Sequence, residues 1–258
     1  MTNDVCKAAS CGYGNCDCET PKQIRDAANG GQYRIPAYPL QTNQFSPWDM
    51  AAIFDAQAHL NTYTLGKLGV VYADVIARGD QTWIENYRKA LSAELTEFVE
   101  EDMENGITGN AQIEIVDMLH FLVSLSHFTN ITWLDACKII NATHDTLQED
   151  DMVLLAGPIA LQMFLSLNDL MNATKWKWWA AGGGYDNEAA QIVVASLWCQ
   201  WFMYVRYADM SLEQVYELYM AKNKVNFERQ DNGYNEDTKT EDDNQRIVCE
   251  IVNKGGAE

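Results

Sequence analysis

Basic residues are scarce in this sequence: 18 Lys and Arg stand against 37 Asp and Glu, a formal net charge of −19. Such a balance excludes nucleic acid or an anionic membrane as a default partner, because an acidic surface repels both. A small polyanion stays compatible with it where metal ions neutralise the charge. Long hydrophobic runs are also missing. The longest candidate, Val193–Val205, is too short to span a bilayer and is interrupted by Gln200. The opening Met-Thr-Asn-Asp shows neither the basic nor the apolar stretch of a secretory signal, so the cytoplasm is the expected location. Proline nearly vanishes after residue 48: Pro21, Pro36, Pro39 and Pro47 precede it and Pro158 alone follows. No useful period-two alternation occurs, which argues against a sheet protein. Zinc-type Cys-x-x-Cys pairs are absent too. Cys6, Cys11, Cys16 and Cys18 crowd the first eighteen residues, and without that spacing they read as a reduced, flexible arm. Cys137 and Cys199, in apolar stretches, read as small core residues.

What is present is the making of a large core: 258 residues, 47% of them hydrophobic, with eight Trp and twelve Tyr. The expected organisation is an irregular arm over 1–45, an all-α helical bundle over 46–234 and an acidic, disordered tail over 235–258. Ser46-Pro47-Trp48-Asp49 opens the first helix. A short one follows over Val70–Ile76, then a Glu-rich one over Asp80–Glu104, and after a Gly106–Gly109 turn another through His120. Thr132-Trp-Leu-Asp135 is a capping-box pattern. Gly157-Pro158 starts a helix expected to run on to Lys175-Trp-Lys-Trp-Trp179, before the Gly182–Gly184 break. Asn187–Tyr207 is apolar nearly all round, and Ser211-Leu-Glu-Gln214 caps the last helix. Ala111-Gln-Ile followed by Thr132-Trp-Leu echoes Ala190-Gln-Ile followed by Ser211-Leu-Glu, which reads as a degenerate internal repeat. In the second copy Val193 and Ser196 stand where Glu114 and Asp117 stand in the first.

The acidic residues carry the chemistry. Glu94 and Glu97 share one face of their helix, and Glu114 and Asp117 share one face of the next. Glu114 and Asp117 sit on a helix too apolar to be a surface one, where ionised carboxylates are costly without a positive partner. Four hard oxygen donors on two adjacent helices suit Mg²⁺, with Mn²⁺ as a substitute. Glu100 to Glu104 read instead as a solvated face. Near the C-terminus Lys222, Asn226 and Arg229 fall at i, i+4 and i+7, a natural grip on polyphosphate, ending at Gly233-Tyr234. Gln57 and Asn61, at i and i+4, offer carboxamides to a base edge. Lys175-Trp-Lys-Trp-Trp179 is a candidate pocket lining, or simply core.

Glu-x-x-Glu then Glu-x-x-Asp, ended by Lys222-x-x-x-Asn226-x-x-Arg229-Gln-x-x-Gly-Tyr234, resembles the all-α NTP pyrophosphohydrolases. Among them it is similar to the dimeric dUTPases and phage-type dCTP pyrophosphatases, over roughly 46–234. The resemblance implies a homodimer that hydrolyses dUTP, dCTP or both to the monophosphate and pyrophosphate. It also implies that Glu94, Glu97, Glu114 and Asp117 bind Mg²⁺, with Glu94 or Glu97 orienting the attacking water. Lys222, Asn226, Arg229 and Tyr234 would hold phosphates, and Gln57 would contact the pyrimidine, with Asn61 as the other carboxamide that the residue pattern offers for that task. In the dimeric dUTPases the Trp-Lys-Trp-Trp segment lies between the acidic motifs, whereas here it follows both. The alternatives are a di-iron carboxylate bundle, which needs two Glu-x-x-His pairs, and a helical protein that binds nucleotide or a partner without hydrolysis.

Overall fold

The computed structural model describes residues 47–149, 154–177, 179–231, 233 and 242–252. Nine α-helices and no strand occur among the described residues. The arm over 1–45, with its four cysteines, lies outside them.

Helix α1 (Pro47–Lys67) starts where proline's fixed φ suits the first helical position, with Asp49 in the first turn. After the short α2 (Tyr72–Ala77), the Asp80 carboxylate accepts from the Thr82 N–H and caps α3 (Gln81–Asn105). Gly106, at φ 74°, ends α3, and the Thr108 hydroxyl accepts from the Ala111 N–H to begin α4 (Gly109–Thr129). Helix α5 (Trp133–Glu149) opens on the expected capping box. The Thr132 hydroxyl accepts from the Asp135 N–H, and the Asp135 carboxylate from the Thr132 N–H. Then come α6 (Ala156–Asn172), α7 (Asn187–Tyr207) and α8 (Leu212–Asp231), the last opened by the same device with Ser211 and Gln214.

The structure departs from the sequence reading in two places. Helix α6 stops at Asn172, short of the Lys175–Trp179 stretch, whose Lys175 N–H donates to the Gln81 side chain at 2.8 Å and ties it to the start of α3. The tail also contains a helix, α9 (Asp242–Val252). Its acidic composition hides an apolar stripe: Ile247 and Val248 are buried, Ile251 packs beside them, and the helix docks on α8 and α4. Eleven residues with one apolar face are enough to dock when a groove awaits them.

Helix α4 is the centre of the molecule, buried nearly all round as its composition requires. Helix α3 packs against one side of it and α7 against another. The Trp198 indole N–H donates to Ser126 Oγ at 2.9 Å, and that of Trp201 to the Ile115 carbonyl at 2.9 Å. An indole N–H buried without such an acceptor costs about 1–3 kcal/mol. Helices α4 and α7 are both 21 residues long, each followed by a box-capped helix, in keeping with two related copies. Among the described residues, no helix is long and apolar enough to cross a membrane.

Candidate active site

Helices α3 and α4 deliver the acids. Glu94, Glu97 and Glu114 each bring a carboxylate oxygen into one group, all within 4.8 Å of one another. Their burial grades from the exposed Glu97, through the half-buried Glu94, to Glu114 at 4% exposure. Carboxylates this close repel one another unless cations neutralise them, by about 3 kcal/mol per pair at an effective dielectric near 20. Oxygen ligands around a magnesium ion lie about 2.1 Å from it, hence about 3–4 Å apart. The three glutamates fit such an ion in donor type, and their 4.8 Å grouping is slightly wider than a closed magnesium shell.

Asp117, the fourth expected ligand, is engaged elsewhere. Its Oδ2 lies 2.8 Å from the ammonium of Lys222, on α8, and both groups are largely buried. Lys222 is therefore placed deeper than a surface grip: at 2% exposure it is a counter-charge to the acids as well as a cavity residue. Breaking a buried pair from one side typically costs about 3–5 kcal/mol.

A cavity of about 340 Å³ joins these groups. Glu94 of α3, Asp117 of α4 and Lys222, Asn226 and Arg229 of α8 all line it. Gln57 and Asn61 of α1 line its other side. Four stretches far apart in sequence meet on one space. Tyr234 lies outside the described residues, and Lys224 turns away toward Glu228. Tyr63 and Lys67 of α1 reach Asp231 and the Gln230 carbonyl of α8, fastening the two helices at the rim.

The carboxamides behave otherwise than expected. Gln57 Nε2 donates to Asn61 Oδ1 at 2.9 Å and to Ser124 Oγ at 3.2 Å. Its Oε1 accepts from the Tyr219 hydroxyl at 2.7 Å and from His120 Nδ1 at 2.8 Å. Asn61 Nδ2 donates to Tyr72 and Ser124. Both N–H bonds and both carbonyl lone pairs of Gln57 are thus engaged inside the protein. The group props the pocket wall rather than presenting a free edge to a base.

The same network fixes His120. Because Gln57 Oε1 only accepts, His120 carries its proton on Nδ1, and its buried Nε2 faces no protein partner. Burial pushes its pKa down to about 3, with the Lys222 charge adding to the effect. The imidazole is neutral.

Sequence reasoning missed several lining residues, among them Phe121, Tyr87, Thr64 and Leu68. Phe121 was findable, seven residues beyond Glu114 and hence on the same helix face. Nothing in the local pattern distinguishes Tyr87 or Leu68 from core. Trp83 lines the cavity, while Trp176 and Trp179 of the displaced segment lie exposed and packed edge-to-face on each other, outside the cavity lining. The carboxylate group holds no histidine among the described residues, unlike a di-iron site.

The all-α architecture is that of the all-α NTP pyrophosphatases. Residues 49–234 match the family model described as dUTPase, and the chain belongs to that family. The match takes in both acidic helices and α8 but ends before α9. Comparison with curated proteins gives no match. The family's name is that of a hydrolase of phosphoric anhydrides acting on a nucleotide, and dUTPases generally use a divalent metal.

Proposed function

We propose that this chain is a Mg²⁺-dependent diphosphatase that converts dUTP, dCTP or both to the monophosphate and pyrophosphate. The observation that carries the reading is the shared cavity, in which an acidic wall from α3 and α4 faces Lys222, Asn226 and Arg229. Glu94, Glu97 and Glu114 would hold the ion, and Asp117 stands beside them behind Lys222. A bound divalent ion supplies charge neutralisation for the triphosphate and lowers the pKa of water.

The chain's own groups do the rest. Arg229 and Asn226, on successive turns of α8, bind phosphate oxygens, and Lys222 meets the chain at the cavity floor. Glu94 or Glu97 orients a water in line with the α-phosphorus. As that oxygen bonds to phosphorus, the α–β bridging bond breaks, the water's proton passes to the carboxylate, and pyrophosphate leaves toward Arg229. Trp83, Tyr87 and Phe121 give the base and sugar an aromatic wall.

We also take the working form to be a homodimer. Leu161, Phe164 and Leu165 stand exposed on one face of α6, with Ile192 exposed on α7.

The test is pyrophosphate release from the eight common NTPs and dNTPs, with and without EDTA. Release confined to dUTP or dCTP and abolished by EDTA is the expected result. Release that EDTA leaves untouched, or none from any nucleotide, would overturn the reading. Light scattering on the eluted protein reads the dimer.

A further inference from the structure

We propose that Asn244, on α9, is a positioning residue that pins the Lys222 ammonium beside Asp117 and leaves its remaining N–H for a phosphate oxygen in the cavity. The inference rests on the pyrophosphohydrolase reading for its consequence, and on geometry alone for the placement. Lys222 Nζ donates to Asn244 Oδ1 at 2.6 Å and lies 2.8 Å from Asp117 Oδ2. An ammonium has three N–H bonds, and two fixed acceptors set the direction of the third. Lys222 lines the cavity, so that third bond is available to an oxygen arriving there.

Asn244 is itself held in place. It is 3% exposed, and its Nδ2 donates to Asn110 Oδ1 at 3.4 Å, which keeps the carbonyl end toward Lys222. The docking of α9 depends on Val248, which lies against Gly109 at the first residue of α4. A Cβ at position 109 would come 2.4 Å from Val248 Cγ1, so glycine there admits the helix. The chemistry of the residue also fits the task. An amide accepts without adding charge, whereas a carboxylate would put one more negative group beside four acids. Helix α9 lies beyond the segment matched by the family, so the family match itself does not account for this positioning.

The placement is read directly from ammonium ¹⁵N–¹H spectra of the full chain, in which only a protected lysine is visible at neutral pH. One protected signal, absent in Lys222→Met, is expected in the wild type. It should vanish in Asn244→Leu, which keeps the volume and loses the acceptor, and persist in Asn244→Asp, which keeps the acceptor. In the pyrophosphate assay Asn244→Leu should raise KM about tenfold with kcat little changed, as expected for lost ground-state phosphate binding. A signal that survives in Asn244→Leu overturns the proposal. Equal loss in Asn244→Leu and Asn244→Asp also overturns it, since packing of α9 rather than the acceptor would then be responsible. A wild type that shows the signal but releases no pyrophosphate would sink the functional reading and leave the placement of Lys222 intact.

Discussion

The imidazole of His120 lies against the ring of Tyr219, with centroids 4.2 Å apart and 24° between planes, while both side chains donate to one atom, Gln57 Oε1. This stack joins α4 to α8, so the acidic helix and the phosphate helix are held in register through a neutral histidine. Protonating it would set a second cation beside Lys222 in a buried site.

Acid should therefore loosen the fold. Burial pushes His120 down to about 3 and His127 to about 4, both below the ordinary 6.5. Between pH 6.5 and 4 the unfolded chain binds protons that the native chain refuses, so stability is full above that window and falls as pH drops through it. The slope is roughly 1.4 kcal/mol per pH unit for each histidine. Asp102, whose carboxyl is raised by burial, opposes part of this. Urea midpoints at pH 7.5 and 5 measure the fall; an unchanged midpoint would contradict the neutral assignment.

Gln57→Leu should destabilise the protein by about 3 kcal/mol or more, because it strips partners from the His120 N–H and the Tyr219 hydroxyl at once. Urea unfolding reads it. A loss under 1 kcal/mol would show that the network is slack.

Glu97→Gln should reduce turnover to background with every nucleotide while helical circular dichroism is kept, since Glu97 is the exposed member of the acidic trio. Saturating Mg²⁺, at about a hundred times its Kd, should stabilise the wild type by about 2.7 kcal/mol and shift its melting by several degrees. The variant should lose that shift. A variant that melts with the same Mg²⁺ dependence would remove Glu97 from the site.

Gly109→Ala should detach α9, because the new methyl overlaps Val248. Faster proteolysis near residue 242 is the readout, with Val248→Ala restoring resistance in the double variant. Wild-type resistance in the single variant would mean that the groove yields.

The acids and α8 were legible because helical spacing is local: i, i+3 and i, i+4 relations fix a face without knowledge of the fold. Glu114 on an apolar helix announced its own burial. The caps at Thr132 and Ser211 were legible for the same reason, each being settled within four residues. What the sequence hid depends on distance. The pairing of Asp117 with Lys222 spans 105 positions and that of Gln57 with His120 spans 63, and neither leaves a local trace. Helix α9 was hidden by averaging, since an apolar stripe as brief as Ile247, Val248 and Ile251 disappears within an acidic tail. The Lys175–Trp179 stretch misled through adjacency: it follows α6 in the chain but is claimed by Gln81.

The four partners of Gln57 have one more consequence. Uracil and cytosine differ by an exchange of giver and receiver at a single edge, and a freely turning carboxamide would welcome either one. Here rotation is forbidden, for turning the amide would set its nitrogen against two hydrogens and its oxygen against the Asn61 oxygen. Position 57 is thus locked in one orientation with all four of its bonding positions taken, so on the proposed function the choice of base falls to other residues of the cavity.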